Sequence, residues 1–85
     1  MKAKALHEAA RILLYVCVHR SGNGSEPARV RNEAMALAEE HPDDPALAQI
    51  VALSAGFASL RGQAAWVNVA EKIEDLARDV AERIR

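Results

Sequence analysis

The chain has 85 residues, of which 51% are hydrophobic and 27% charged, and its formal net charge is −1. This apolar fraction argues against disorder, and the length allows one domain, residues 1–85, near the size at which a single core barely suffices. The nearly neutral charge excludes the strong positive field of a general nucleic-acid binder. Alanine accounts for 18 residues, so much of the apolar surface comes from small side chains that allow helices to approach closely.

The first predicted element is a helix over residues 2–19. Its apolar run Ile12–Val18 has strand character in isolation, but good helix formers precede it and the chain offers no partner strand. Gly22 and Gly24 follow and supply the backbone freedom that lets a chain leave a helix.

Cys17, inside that first helix, is the only cysteine and cannot form an internal disulfide. A buried, reduced thiol is typical of a cytoplasmic protein. The short run after Lys2 and Lys4 is interrupted by charge and lacks a cleavage site, which argues against a signal peptide. The longest uncharged stretch, Pro45–Leu60, is too short for a membrane span. We therefore expect a soluble, cytoplasmic protein that does not bind a membrane.

A second helix is predicted over residues 26–41. Ser25 has the position of an N-cap, Glu26 favours the helix dipole, and Pro27 stands where no amide donor is needed. An apolar stripe follows with helical spacing. The turn His41–Pro45 ends this helix, and Asp44 is predicted to cap the next one.

This turn, AEEHPDDPALA, resembles the loop between successive hairpins of tetratricopeptide repeats. The resemblance covers this one loop and implies two helices packed as a hairpin. The tryptophan, glycine and tyrosine spacing of such a repeat does not follow it, because the next glycine, Gly56, lies eleven residues after Pro45. We therefore assign the loop to a helical hairpin and not to the repeat family.

The third helix, predicted over residues 45–60, is apolar on almost every side. Only Gln49, Ser54 and Ser59 interrupt it, and their five-residue spacing scatters them around the helix. A short chain has little protein with which to cover such a helix, so a second copy is expected to do so. We expect a homo-oligomer, with a dimer favoured. The candidate interface residues are Ile50, Val51, Leu53 and Phe57.

The fourth helix, predicted over residues 64–84, has the clearest apolar period of the chain. Trp66 and Ile73 lie on its stripe and are expected to anchor it. Its other face pairs Glu74 with Arg78, and Asp79 with Arg83, at i, i+4 spacing. Short connections favour antiparallel neighbours, so we predict an all-α fold, a small antiparallel four-helix bundle of helical hairpins, completed by self-association.

No pattern in the sequence indicates catalysis or a cofactor. His7, His19 and His41 lie in three different segments, and the sequence has no metal, phosphate-loop or nucleophile motif. His7 and His41 are expected to be solvated. Glu71, Glu74 and Asp75 alternate with basic residues, as on a solvated helix face, so no metal site is expected.

The charge distribution suggests where a partner would bind. Residues 1–31 carry a net charge of +4 and residues 32–85 one of −5. Arg20, Arg29 and Arg31 flank a glycine-containing loop and are the candidate partner-binding residues, because arginine makes bidentate contacts with carboxylates and phosphates. An acidic turn before the uncharged third helix argues against a helix-turn-helix that reads DNA.

These features predict a non-enzymatic protein–protein interaction module, such as an adaptor, inhibitor or accessory subunit, that acts as a homo-oligomer with an unidentified protein partner. The alternative is a small helical enzyme or a small-molecule binder, with a pocket between helices or at a dimer interface. Carboxylates that converge inward would favour this alternative, whereas a dry interior with charges outside would favour the interaction module.

Overall fold

The computed structural model describes residues 2–84, which form four helices and one 3₁₀ turn. No strand is found in this part of the chain. The all-α fold predicted from the sequence is confirmed. The elements are α1 (Lys2–His19), α2 (Glu26–Glu40), α3 (Pro45–Ala55), the 3₁₀ turn (Phe57–Ser59) and α4 (Gln63–Arg83).

The helices form a bundle in which each helix packs against two neighbours. Helix α1 contacts α2 and α4, and α3 contacts the same two helices from the other side. Such a ring of four, joined by short loops, is an up-down bundle in which successive helices are antiparallel. One end of the bundle therefore holds the ends of α1 and α3 together with the beginnings of α2 and α4. The molecule measures 33 × 20 × 18 Å.

The core takes apolar residues from all four helices. Buried positions recur every three or four residues, as the sequence pattern predicts. Each large aliphatic side chain in this core contributes about 1.5–3 kcal/mol by burial. Alanines with no exposed surface lie between them and let the helices approach closely. The largest fully buried side chains are Leu6, Leu13, Leu37, Leu47, Ile50, Ile73, Val30 and Val80.

Two helix ends differ from the prediction. The residue that leaves α1 is Arg20, with φ +53°, and the amide of Ser21 donates to the carbonyl of Val16 at 2.9 Å. This is the left-handed end for which glycine is the usual choice. At the start of α2, Ser25 makes no side-chain cap; its hydroxyl donates instead to Oδ1 of Asn23 at 2.6 Å. The predicted Asp44 cap is confirmed.

Helix α3 is shorter than predicted. It ends at Ala55, and Gly56 separates it from the 3₁₀ turn, so the prediction of a helix to residue 60 is wrong. Glycine has a low helix propensity. In addition, the Ser54 hydroxyl donates a hydrogen bond to the carbonyl of Ile50 at 2.7 Å, which weakens the last turn of the helix. The exposed face of α3 holds small or polar side chains, so its burial does not require a second copy. These residues are Ala48, Gln49, Ala52 and Ala55.

Helix α4 has one predicted anchor in the core and one outside it. Ile73 is fully buried, whereas Trp66 is 37% exposed and lies beyond the core cluster. The prediction that Trp66 is a core anchor is therefore wrong. Trp66 belongs to the first turn of α4, at the end of the bundle, where fewer neighbouring side chains are available to cover it.

Ion pairs join segments that lie far apart in the sequence. Lys2 pairs with Glu40, and Nη1 of Arg83 lies 2.7 Å from Oδ2 of Asp44. Arg83 thus reaches across to the α2–α3 turn instead of making the expected close pair with Asp79. The predicted pair of Glu74 with Arg78 is present at 3.2 Å.

Candidate functional site

An open groove of about 1030 Å³ lies at the end of the bundle where α1 and α3 end and α2 and α4 begin. Its lining is contributed by all four helices, the α1–α2 loop and the 3₁₀ turn. The lining is largely apolar, since the last turns of α1 and the 3₁₀ turn bring aliphatic and aromatic side chains together. These apolar residues include Leu13, Val16, Pro27, Phe57, Leu60 and Trp66.

Three arginines line this groove: Arg20, Arg31 and Arg61. Within residues 2–84, none of them has an ion-pair partner within 4 Å. Nη1 of Arg61 donates weakly to the carbonyls of Leu60 at 3.3 Å and Ala58 at 3.4 Å, which holds it beside the 3₁₀ turn. Guanidinium groups without a carboxylate partner next to apolar surface favour a ligand with both properties.

Gln63 holds Arg20 at the groove. Nε of Arg20 donates to Oε1 of Gln63 at 2.9 Å. The side-chain nitrogen of Gln63, Nε2, donates in turn to the backbone carbonyls of Val18 at 2.9 Å and Cys17 at 3.2 Å. Gln63 therefore joins the first residue of α4 to the end of α1, and it satisfies carbonyls that a helix end leaves without a partner.

The carboxylate of Glu26 also lines the groove, but the α1–α2 loop already uses it. It accepts hydrogen bonds from the backbone amides of Asn23 and Gly24, both at 3.1 Å. Hydrogen bonds from backbone amides, its own first, lower the pKa of Glu26, so this group is ionised at neutral pH. The described lining residues thus include three arginines against one carboxylate, which leaves an excess of positive charge.

The predicted partner-binding arginines are only partly brought together. Arg20 and Arg31 line the groove, whereas Arg29 is exposed on α2 and does not. Two residues along a helix correspond to roughly opposite faces, which explains this separation. Arg61 was missed by sequence reasoning. It lies thirty residues after Arg31, and no local pattern could have shown that the fold brings the two to one groove.

Cys17 lies in the groove wall as a buried free thiol. Burial, with a smaller contribution from Glu26, raises the pKa of the Cys17 thiol. The thiolate is the nucleophilic form of cysteine, so this residue is protonated at neutral pH and unsuited to nucleophilic chemistry. In this position it contributes apolar surface.

The predicted interface residues on and after α3 have different surroundings. Ile50 is fully buried in the core and has no surface to offer a second copy. Val51 and Leu53 are half-buried and pack against the core. Phe57, also half-buried, follows the helix break and lines the groove.

A polar contact joins α1 and α4 at mid-bundle. Nε2 of His7 lies 2.8 Å from Oε2 of Glu74, whose side chain is only 14% exposed. Arg78 binds both Glu74 and Asp75 on the outer side. The expectation that His7 and Glu74 lie on solvated faces is therefore wrong. No group of three or more histidine, cysteine or acidic residues that could hold a metal ion occurs in residues 2–84.

Comparison with protein-family models, with curated proteins and with solved structures gave no significant match. Among the helices of residues 2–84, none combines the length and the apolar character needed to span a membrane. Function is therefore inferred from the chemistry of the groove and of the surrounding surface.

Proposed function

We propose that this protein is a non-enzymatic protein–protein interaction module, an adaptor, inhibitor or accessory subunit, that binds its partner in the end groove. The observation that carries this proposal is an open apolar groove in which Trp66 and Phe57 lie among arginines that have no ion-pair partner within residues 2–84. Tryptophan, tyrosine and arginine side chains supply a large share of the binding energy at protein interfaces. The indole N–H of Trp66 donates a long hydrogen bond, at 3.4 Å, to the Leu60 carbonyl.

The composition of the groove favours binding over catalysis. No histidine is among its described lining residues, its single thiol is protonated, and its carboxylate is hydrogen-bonded to loop amides. General acid–base chemistry needs a titratable group that can reach the substrate. Glu26 and Cys17 both lack the freedom for this role.

A small-molecule binder is the second candidate function. A volume of about 1030 Å³ between helices is at the upper end of the range typical of small-molecule pockets. An apolar ligand with an anionic group would suit the same residues. Such a ligand would be covered only partly, because the groove is open across the bundle end.

We also propose that the chain forms a homo-oligomer, most simply a dimer, in the cytoplasm. The support for association is a set of exposed apolar side chains on the outer face of α1, at Ile12, Tyr15 and Val18. The support for the cytoplasm is the buried, reduced Cys17, which suits a reducing compartment.

Site-specific photo-crosslinking tests the proposed groove interaction. A photoreactive residue at Ala58, which lines the groove, is compared with one at Lys72, which is exposed on α4. In cells of the source organism, we expect a discrete adduct with another protein from position 58 and none of that mass from position 72. The same products from both positions, or none from position 58, would contradict the proposal.

A further inference from the structure

We propose that the occupant of the end groove is a protein segment in which large apolar side chains alternate with carboxylates. This inference rests on the proposed function, and it specifies the chemistry of the partner. It follows from the charges, the apolar surface and the dimensions of the groove.

The charge argument concerns which groups remain available to a ligand. Arg20, Arg31 and Arg61 have no ion-pair partner within residues 2–84, and the carboxylate of Glu26 is used by loop amides. A carboxylate on a partner would therefore meet guanidinium groups without displacing an existing ion pair. A basic segment would instead meet three like charges, and the cost of that contact would exclude it.

The placement of Arg20 also supports a partner that carries carboxylates. Its backbone has φ +53°, a conformation that disfavours residues with a Cβ, and this is the helix-end position where glycine is the usual residue. An arginine here supplies a cation that glycine would lack. Its hydrogen bond to Gln63 also restricts the side chain before a ligand arrives, which reduces the ordering that binding requires.

The apolar wall of the groove favours a partner that has apolar side chains as well as carboxylates. Phe57, Leu60 and Trp66 present surface that a lone carboxylate or a phosphate backbone would leave uncovered, whereas a leucine or phenylalanine side chain would cover it. The bundle cross-section of 20 × 18 Å matches the length of an extended segment of about six residues. Alternation in such a segment would place apolar side chains toward the wall and carboxylates toward the arginine rim.

Trp66 provides a direct assay, because it is the only tryptophan of the chain and it lines the groove. The probe is a nine-residue capped peptide without tryptophan, in which phenylalanine and leucine alternate with aspartate. We expect a saturable blue shift of the Trp66 emission as the peptide excludes water. Two matched peptides, one with lysine for each aspartate and one with serine for each apolar residue, are expected to bind at least tenfold more weakly.

Two charge reversals on α2 form a matched pair. Arg31→Glu places a carboxylate in the groove and is expected to weaken binding of the aspartate peptide about tenfold. Arg29→Glu makes the same change two residues away, outside the groove, and is expected to alter binding less than about twofold. Both side chains are exposed, and unchanged helical circular dichroism confirms that each variant is folded.

The outcomes separate the two proposals. Equal binding of the aspartate and lysine peptides, or equal effects of the two reversals, overturns the acidic partner and leaves an interaction groove. Failure of every peptide while position 58 still crosslinks a protein also overturns only the partner chemistry. If crosslinking fails as well, and only dodecanoate or a single-stranded oligonucleotide shifts the Trp66 emission, both proposals are wrong.

Discussion

Asp44 links two elements through one side chain that is only 7% exposed. Its Oδ1 accepts a hydrogen bond from the backbone amide of Ala46 at 3.0 Å and so caps α3. Its Oδ2 accepts a hydrogen bond from Nη1 of Arg83 at 2.7 Å. The Arg83 guanidinium, followed by the backbone amides of α3, holds the pKa of Asp44 below its ordinary value of 3.8. The fold is thus stabilised by the ionised form of this residue.

We predict that Asp44 contributes stability above its ordinary pKa and loses it as the pH falls through the lowered folded-state value, since protonation removes both acceptor functions. Asp44→Ala should cost about 1–2 kcal/mol at neutral pH, mostly through the lost cap. Asp44→Asn should cost less, because asparagine also caps helices. Urea denaturation between pH 2 and pH 7 measures these effects. Asp43→Ala is the control, and an equal loss there would contradict the assignment.

The break between α3 and the 3₁₀ turn occurs at Gly56, directly before residues that line the groove. Gly56 has φ −82° and ψ −1°, a helical conformation that any residue can adopt. A Cβ at this position would meet the Ala52 carbonyl oxygen at 3.5 Å, an ordinary contact. Gly62 differs, with φ +88° and ψ 154°, a region that essentially only glycine adopts. One glycine therefore marks a weak helix end, while the other is required by the backbone.

We predict opposite effects for the two Gly→Ala changes. Gly56→Ala should raise the free energy of unfolding by about 0.4–1 kcal/mol, since alanine restricts the unfolded chain. Gly62→Ala should lower it by about 1–3 kcal/mol, because alanine strains the start of α4. Equilibrium denaturation of both variants beside the parent provides the test. Stabilisation by the Gly62 change would contradict the described backbone.

In the whole molecule, folding pairs some charges of the two sequence halves with each other, but the bundle still has one positive and one negative end. The groove end carries Arg20, Arg29, Arg31 and Arg61 against Glu26. The opposite end carries the acidic α2–α3 turn, where Lys2 and Arg83 neutralise only part of the negative charge. This polarity favours approach of an acidic partner to the groove end.

We predict that the proposed dimer has a solution mass of about twice 9.2 kDa and that Tyr15→Lys returns it to the monomer. Tyr15 is 62% exposed, more than any other large apolar side chain described in residues 2–84. A charge there would oppose burial in an interface. Light scattering at several concentrations measures the mass, with Met35→Lys as the control on α2. A parent chain that stays monomeric at millimolar concentration rules out the dimer.

Local sequence patterns predict the four helices, although not the end of α3. Apolar spacing gave the faces of α1, α2 and α4, and the Asp44–Pro45 pair gave the start of α3, because these signals act within a few residues. Burial was less predictable, since Ile50 and Trp66 are both apolar residues on helices. Ile50 faces the bundle interior, whereas Trp66 lies at its end, and only the packing of neighbouring helices distinguishes these positions.

The groove exists only in the packed bundle and could not be predicted from the sequence. Its residues come from segments up to about fifty positions apart, and helical periodicity indicates which face is apolar but not what packs against it. The residues around one loop therefore predict Arg20, Arg29 and Arg31 as a group, but Arg29 lies outside the groove. Arg61, which lines the groove, is not predicted. The antiparallel order of four helices brings Arg61 beside them, because it places the end of α3 and the beginning of α4 at the same end as the α1–α2 loop.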